Sequence, residues 1–159
     1  MDQDTKKILQ RLEALCSRRE YCSRDIYRKA LERCGGDIQR ADEILESLKA
    51  ERFVDDLRYA SAFAREKSSL SGWGELKLRT ALLAKGIPDA LIREAIKEID
   101  PERADHRLER LMEKKWASLS DDPQGKLKLL RYALGRGYLY EQVKPLVDKL
   151  TKGSVSDDI

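Results

Sequence analysis

Residues 72–88 read GWGELKLRTALLAKGIP, and this stretch predicts one helix that a glycine closes and a second helix that follows at once. Gly86 can take the left-handed conformation that ends many helices, and Pro88 has the fixed φ that suits a first helical turn. Gly74, Leu78, Leu82 and Gly86 recur every four residues, so they lie along one face of the first helix. The stretch therefore predicts a helical pair with a glycine turn between its members.

The same ladder occurs three times along the chain. Its first copy is Ser23, Tyr27, Leu31, Gly35 and its third copy is Gly125, Leu129, Ala133, Gly137, so both intervals are 51 residues (74 − 23 and 125 − 74). The aligned positions of the next helix are apolar in every copy: Ala41, Ile44, Leu45, Leu48, then Ile92, Ala95, Ile96, Ile99, then Val143, Leu146, Val147, Leu150. We therefore predict an all-α protein, an elongated array of three tandem three-helix repeats, because one repeat alone buries too narrow a stripe to be stable.

The breaks between helical patterns predict the boundaries of the repeats. They place repeat 1 at residues 1–51, repeat 2 at 52–100, repeat 3 at 101–150 and a polar tail at 151–159. Ser23 is the predicted N-cap of the second helix in repeat 1, because a serine oxygen can accept a bond from the first helical turn. Asp55-Asp56 predicts a helix start in repeat 2, where the helix dipole favours carboxylates.

The composition indicates an extensive solvated surface. Of 159 residues, 41% are apolar and 38% are charged, whereas a typical globular domain has roughly 25% charged residues. The net charge of +3 does not require a nucleic-acid partner.

Three cysteines without a C-x-x-C pair, together with a single histidine, predict no zinc site. The odd cysteine count and the polar start are typical of the reducing cytoplasm, and no apolar run reaches membrane length. We expect a cytoplasmic monomer without cofactor or metal.

The residue patterns favour binding over catalysis. His106 belongs to no recognisable nucleophile or base motif, and the glycines of 72–74 follow no strand and precede no P-loop lysine. In contrast, residues 18–33 and 126–136 combine arginine and lysine with tyrosine. Cations interleaved with aromatic rings can contact phosphates and stack on bases, or they can meet an acidic protein surface. We therefore predict a protein that is not an enzyme and acts by binding.

Three motifs resemble the signature of a known family. They are Arg52-Phe53-Val54-Asp55-Asp56-Leu57-Arg58-Tyr59-Ala60, the Gly-x-Gly of residues 72–74, and Leu82-x-x-Lys85-Gly86-Ile87. Together they resemble the central signature of the RecX family of recombination regulators. Residues 17–23, SRREYCS, are similar to that family's Arg-Glu-Tyr-Ser motif with one residue inserted before the serine, and the resemblance spans Leu12 to Leu150. Ile26-Tyr27 departs from the family, which tends to have Glu-Leu after the serine.

The resemblance implies a fold and a partner. It implies an all-helical protein of three tandem three-helix repeats that lies in the groove of the RecA filament. There it would restrain ATP hydrolysis, strand exchange and coprotease activity in recombination and the SOS response. We expect the middle repeat to be the anchor, with Trp73 as its hot spot, and we expect weak contacts to single- or double-stranded DNA at most. The predicted contact residues are Arg24, Arg28, Arg65, Trp73, Lys77, Arg79, Lys126 and Arg131.

Two other functions stay open on the sequence. A direct DNA-binding protein could use helix-turn-helix-like pairs, since the glycine turns at Gly35, Gly86 and Gly137 permit that geometry. A recognition helix should begin with polar residues that read bases, however, and the central repeat has Ala90-Leu91-Ile92 there. The remaining alternative is a helical scaffold that affects neither RecA nor DNA.

Overall fold

The computed structural model describes residues 1–152, and these residues form nine α-helices joined by short turns. The helices are α1 (Gln3–Arg18), α2 (Ser23–Arg33), α3 (Ile38–Ala50), α4 (Asp56–Leu70), α5 (Glu75–Ala84), α6 (Asp89–Lys97), α7 (Pro101–Ala117), α8 (Gly125–Gly135) and α9 (Tyr140–Thr151). The predicted all-α class is confirmed. No helix within residues 1–152 combines the length and the apolar character that a membrane span requires.

The chain divides into two compact units. Unit 1 comprises Met1–Phe63 and Leu82–Ala95, and unit 2 comprises Ala64–Ala81 and the residues from Ile96 onward. Helices α4, α5 and α6 therefore contribute residues to both units. The repeat boundaries at 1–51, 52–100 and 101–150 stay predictions.

Aspartates begin several of the helices. The carboxylate of Asp2 accepts a hydrogen bond from the Thr5 N–H at 2.7 Å, and the carboxylate of Asp55 accepts one from the Arg58 N–H at 3.1 Å. Each bond satisfies an N–H group that has no partner inside its own helix. The predicted helix start at Asp55-Asp56 is confirmed, since α4 begins at Asp56.

The predicted N-cap at Ser23 is wrong. Cys22 is the N-cap of α2, and Ser23 is its first helical residue. The Ser23 hydroxyl donates to Asp56 Oδ2, and its N–H donates to Asp56 Oδ1, both at 2.8 Å. A carboxylate distant in the sequence thus occupies the position that a local serine oxygen was predicted to take.

The core of unit 1 lies between α1, α2 and α3, and it includes the fully buried residues Leu12, Ile26, Ala30, Ile44 and Leu48. The ladder residues Tyr27 and Leu31 are only partly buried. The buried face of α2 is therefore shifted by one position from the predicted ladder. The reason is that the positions one residue earlier, from the N-cap Cys22 through Ile26 and Ala30 to the C-cap Cys34, are all apolar, so burying them brings no unpaired polar side chain into the core.

The core of unit 2 lies between α7, α8 and α9, with Leu108, Met112, Leu129, Val143 and Val147 among its buried residues. The predicted polar tail at 151–159 stays a prediction, and α9 reaches its first residue. Thr151 is the last residue of α9, 1% exposed, and its hydroxyl donates to the Val147 carbonyl at 2.7 Å. The rest of the predicted tail, from residue 153, lies outside the described residues.

Candidate partner-binding surface

In unit 2, the start of α5 lies against the turn between α8 and α9. The Gly74 N–H donates to the Arg136 carbonyl at 2.7 Å, and the Leu76 N–H donates to the Gly137 carbonyl at 2.9 Å. These bonds satisfy N–H groups at the start of α5 that would otherwise lack partners. The two backbone segments are therefore in direct contact.

Glycine is required on both sides of this contact. A Cβ atom at Gly74 would lie 2.6 Å from both the Gly137 carbonyl carbon and the Tyr138 nitrogen. A Cβ atom at Gly137 would lie 2.4 Å from the backbone nitrogen of Lys77, and the φ of Gly137 is +95°. Gly74 and Gly137, which belong to two different copies of the repeated pattern, thus allow the two backbone segments to approach each other closely.

This contact positions the ring of Trp73 beside two lysines. The backbone N–H of Trp73 donates to the Lys67 carbonyl at 3.1 Å. This hydrogen bond turns the chain back at the end of α4. The ammonium of Lys77 lies 4.7 Å from the ring centroid, and that of Lys67 lies 5.2 Å from it. Both distances are within the range of cation–π attraction.

A second ring in unit 2 has the same kind of environment. The Tyr132 ring centroid lies 5.1 Å from Arg136 Cζ and 5.2 Å from Lys115 Nζ. Arg136 also donates from Nη1 to the Ser71 carbonyl, close to Trp73 in the chain. Arg136 therefore contacts both the Tyr132 ring and the backbone two residues before Trp73. The ring-and-cation surface consists of Lys67, Trp73, Lys77, Lys115, Tyr132 and Arg136.

The predicted contact residues of unit 2 are only partly brought together. Trp73 and Lys77 belong to the ring-and-cation surface, whereas three other predicted residues form ion pairs: Arg65 with Glu98 at 3.2 Å, Arg79 with Glu75 at 3.3 Å, and Lys126 with Asp148 at 3.7 Å. Arg131 is exposed on α8. Lys67 and Lys115 were not among the predicted contacts. No sequence signal could have placed Lys115 beside Tyr132, because the two lie on different helices.

The predicted contact residues of unit 1, Arg24 and Arg28, are both exposed on α2. Arg24 Nη1 donates to the Ala84 carbonyl at 2.6 Å, and its side chain lies beside Gly86. The Arg24 guanidinium therefore satisfies a carbonyl at the end of α5, where a cation also suits the helix dipole. This bond gives Arg24 a structural role in unit 1.

An ion pair lies next to this contact. Lys85 Nζ donates to Asp25 Oδ2 at 2.8 Å. Burial raises the pKa of Asp25, but the hydrogen bond and charge of Lys85, with a hydrogen bond from Cys22, outweigh it and leave the pKa below its usual value. The hydrogen bond to Asp25 in turn raises the pKa of Lys85. The pair thus favours the charged form of both groups.

We predict that Lys85→Met lowers the stability at pH 7 by about 0.5 kcal/mol, a small value because the pair is partly solvated. The pKa of Asp25 is lower in the folded state than in the unfolded state, where it is about 3.9. The stability that the ion pair provides is therefore fully present above that unfolded pKa and is lost as the pH falls through the folded pKa. Urea unfolding of the wild type and of Lys85→Met, at pH 7 and at pH 3, measures how much unfolding free energy the substitution removes at each pH. Lys49→Met, at an exposed position of α3, is the control. An effect of Lys85→Met that is as large at pH 3 as at pH 7 would contradict the role of the pair.

The three cysteines are buried in unit 1 as free thiols: Cys16, Cys22 and Cys34. Burial raises the pKa of the Cys22 thiol, and it does the same for Cys16 and Cys34. A protonated thiol is a poor nucleophile and a poor metal ligand. The cysteines therefore act as small apolar residues of the core.

Comparison with known proteins decides the family. Residues 55–96 match the model of the second three-helix domain of RecX, and residues 104–147 match that of its third three-helix domain. The chain is 30% identical over 149 residues to the regulatory protein RecX of Prosthecochloris aestuarii, and the match covers 94% of this chain and 97% of that protein. The chain belongs to the RecX family.

The RecX of Chromohalobacter salexigens is 31% identical over 131 residues, with 82% of this chain and 84% of that protein covered. The RecX of Clostridium tetani is 29% identical, and the match spans 59% of its length.

Solved RecX structures share the fold. One crystal structure of regulatory protein RecX superposes with a TM-score of 0.82 and 21% identity, covering 91% of this chain and 72% of that one. The crystal structure of RecX from Lactobacillus salivarius gives a TM-score of 0.81 and 19% identity, covering 96% of this chain and 99% of that one. At these identities the likeness establishes the arrangement of helices. The resemblance that the motifs around Asp55 and Gly74 carried is confirmed.

Proposed function

We propose that this chain binds the RecA nucleoprotein filament and restrains its ATP hydrolysis, strand exchange and coprotease activity without catalysing a reaction itself. The observation that carries the proposal is the ring-and-cation surface of unit 2 in a chain of the RecX family. Tryptophan, tyrosine and arginine are the residues that contribute most to protein interfaces. The proposed partner is therefore a protein surface with carboxylates opposite these cations, and the chain works in the cytoplasm as a monomer.

Electrostatic complementarity would speed this association. Lys67, Lys77 and Lys115 surround the two rings, and their attraction to a negatively charged surface raises the association rate at low salt. The rings then supply apolar contact area once the surfaces meet. Arg131, a predicted contact residue of the same unit, is exposed on α8 and would add a further cation for the partner.

Direct DNA binding is the weaker candidate. Helix α6 stands where a recognition helix would begin, and its first residue is Asp89, whose carboxylate pairs with Arg93 at 3.3 Å. A carboxylate at that position repels phosphates and cannot read a base through a donor group. In addition, a base that stacks on a ring face covered by an ammonium group must displace it. Both features favour a protein partner.

Titration of the chain into RecA with single-stranded DNA and ATP tests the proposal. We expect the steady-state rate of ATP hydrolysis to fall as the chain approaches an equimolar ratio with RecA. The control is the same chain with single-stranded DNA alone, whose binding is followed as salt is raised. An unchanged RecA rate, combined with DNA affinity that falls steeply with salt, would replace the proposal by the DNA-binding alternative.

A further inference from the structure

The turn of residues 71–74 joins α4 to α5 and carries Trp73, which is half-buried. The residues on either side of Trp73, Gly72 and Gly74, are buried, and the φ of Gly72 is +66°. Glycine has more backbone conformations available than any other residue, so a segment with two glycines loses more freedom when it is ordered. Contacts from outside the turn are therefore needed to keep the Trp73 ring in one position.

Arg136 makes such contacts at both ends of the turn. Its guanidinium donates from Nη1 to the Ser71 carbonyl, and its backbone carbonyl accepts a hydrogen bond from the Gly74 N–H at 2.7 Å. Ser71 and Gly74 are the first and last residues of the turn, so the two bonds enclose Trp73 between them. A segment whose two ends are bonded to one residue has fewer conformations than a segment that is bonded at one end.

The Arg136 guanidinium is itself held in place. Its Cζ lies 5.1 Å from the ring centroid of Tyr132, which precedes it by four residues on α8. Arg136 is half-buried, and its backbone forms the C-cap of the same helix. A planar guanidinium that lies on a ring is pre-organised, so it loses less entropy for each hydrogen bond that it forms. Tyr132 thus orients Arg136, and Arg136 restrains the turn.

We propose that Arg136 is a positioning residue, which holds the turn of residues 71–74 so that the Trp73 indole is presented to a protein partner in one orientation. A side chain that is already ordered loses less conformational entropy on association, and for one large side chain this preorganisation raises the affinity about five-fold. The identity of the partner as the RecA filament rests on the proposed function. The positioning role rests on the two bonds to the turn and on the contact with Tyr132.

NMR relaxation of the indole N–H groups tests the positioning role without RecA. Arg136→Met removes the guanidinium and keeps the carbonyl that the Gly74 N–H bonds. We expect the order parameter of the Trp73 indole to fall, while that of Trp116, which packs against the core of unit 2, stays the same. Arg110→Met, which removes an exposed arginine from α7, is the matched control and changes neither indole.

An unchanged Trp73 order parameter in Arg136→Met would reject the positioning role, whatever the effect on RecA. If Arg136→Met does not melt cooperatively, Arg136→Lys takes its place. Its ammonium lacks the planar fork of the guanidinium, so we expect a smaller fall in the same order parameter, and no fall would again reject the role.

Competition binding to RecA on single-stranded DNA separates positioning from direct contact. We expect Arg136→Met to bind about five-fold more weakly. The double variant should bind as Trp73→Ala does, because Arg136 has no indole to position once Trp73 is truncated. An additive loss would show that the guanidinium contacts the partner directly, and it would overturn the proposal. If the wild type does not bind RecA while the Trp73 indole becomes more mobile in Arg136→Met, the proposed function fails and the positioning role stands.

Discussion

The Gly137→Ala variant is expected to lose about 3 kcal/mol of unfolding free energy. The φ of Gly137 is +95°, which strains any residue that has a Cβ atom, and such strain costs about 1 to 2 kcal/mol. The new Cβ would also lie 2.4 Å from the backbone nitrogen of Lys77. A backbone atom in a helix cannot move aside as a flexible side chain can, so overpacking adds about 1 to 3 kcal/mol.

Thermal and urea unfolding of Gly137→Ala measure this loss, which corresponds to a fall in Tm of about 6 to 12 °C for a chain of this size. Gly135→Ala is the matched control two residues earlier. Gly135 is the last residue of α8, and a Cβ there meets nothing within 4 Å. We expect the control to gain a few tenths to about 1 kcal/mol, because alanine has the higher helix propensity. Equal behaviour of the two variants would contradict the close backbone contact at Lys77.

The Trp73→Ala variant is expected to bind the RecA filament about 30-fold more weakly. Truncation of a central interface residue commonly costs about 2 kcal/mol or more, and about 1.4 kcal/mol corresponds to a tenfold change in affinity. The indole is the largest apolar group of the ring-and-cation surface, so its loss removes much of the contact area that the surface offers. Lys67 and Lys77 also lose the ring that orients their ammonium groups.

Competition binding to RecA on single-stranded DNA measures the affinity of Trp73→Ala, and circular dichroism with a thermal melt verifies that the helices are intact. Tyr140→Ala is the control, because it truncates an exposed aromatic residue of the same unit outside the ring-and-cation surface. We expect wild-type affinity for Tyr140→Ala. If Trp73→Ala keeps a normal melt and normal affinity, the ring-and-cation surface is not the site of docking.

The candidate site shows how far local patterns reach. Trp73 and Lys77 were both among the predicted contact residues, and they lie only four residues apart in the chain. The sequence could not place Lys115 beside Tyr132. The two residues lie on α7 and α8, and the way the apolar faces of these helices pack together decides which of their polar side chains meet. The Arg136 bond to the Ser71 carbonyl joins residues 65 apart in the chain. No period in the sequence encodes that pair.

The sequence by itself determined the helices, the glycine turns, the tandem pattern of 51 residues and, through the motifs around Asp55 and Gly74, the family. These properties depend on hydrogen bonds and apolar periodicity within one or two helices, which are readable from residues close in the chain. Only the tertiary structure decided that Asp56 binds Ser23, that α2 buries Ile26 in place of Tyr27, and that Arg136 bonds the Ser71 carbonyl. Those outcomes depend on how each helix rotates to bury the most apolar surface against its neighbours. Each such rotation is decided by residues that lie far apart in the chain.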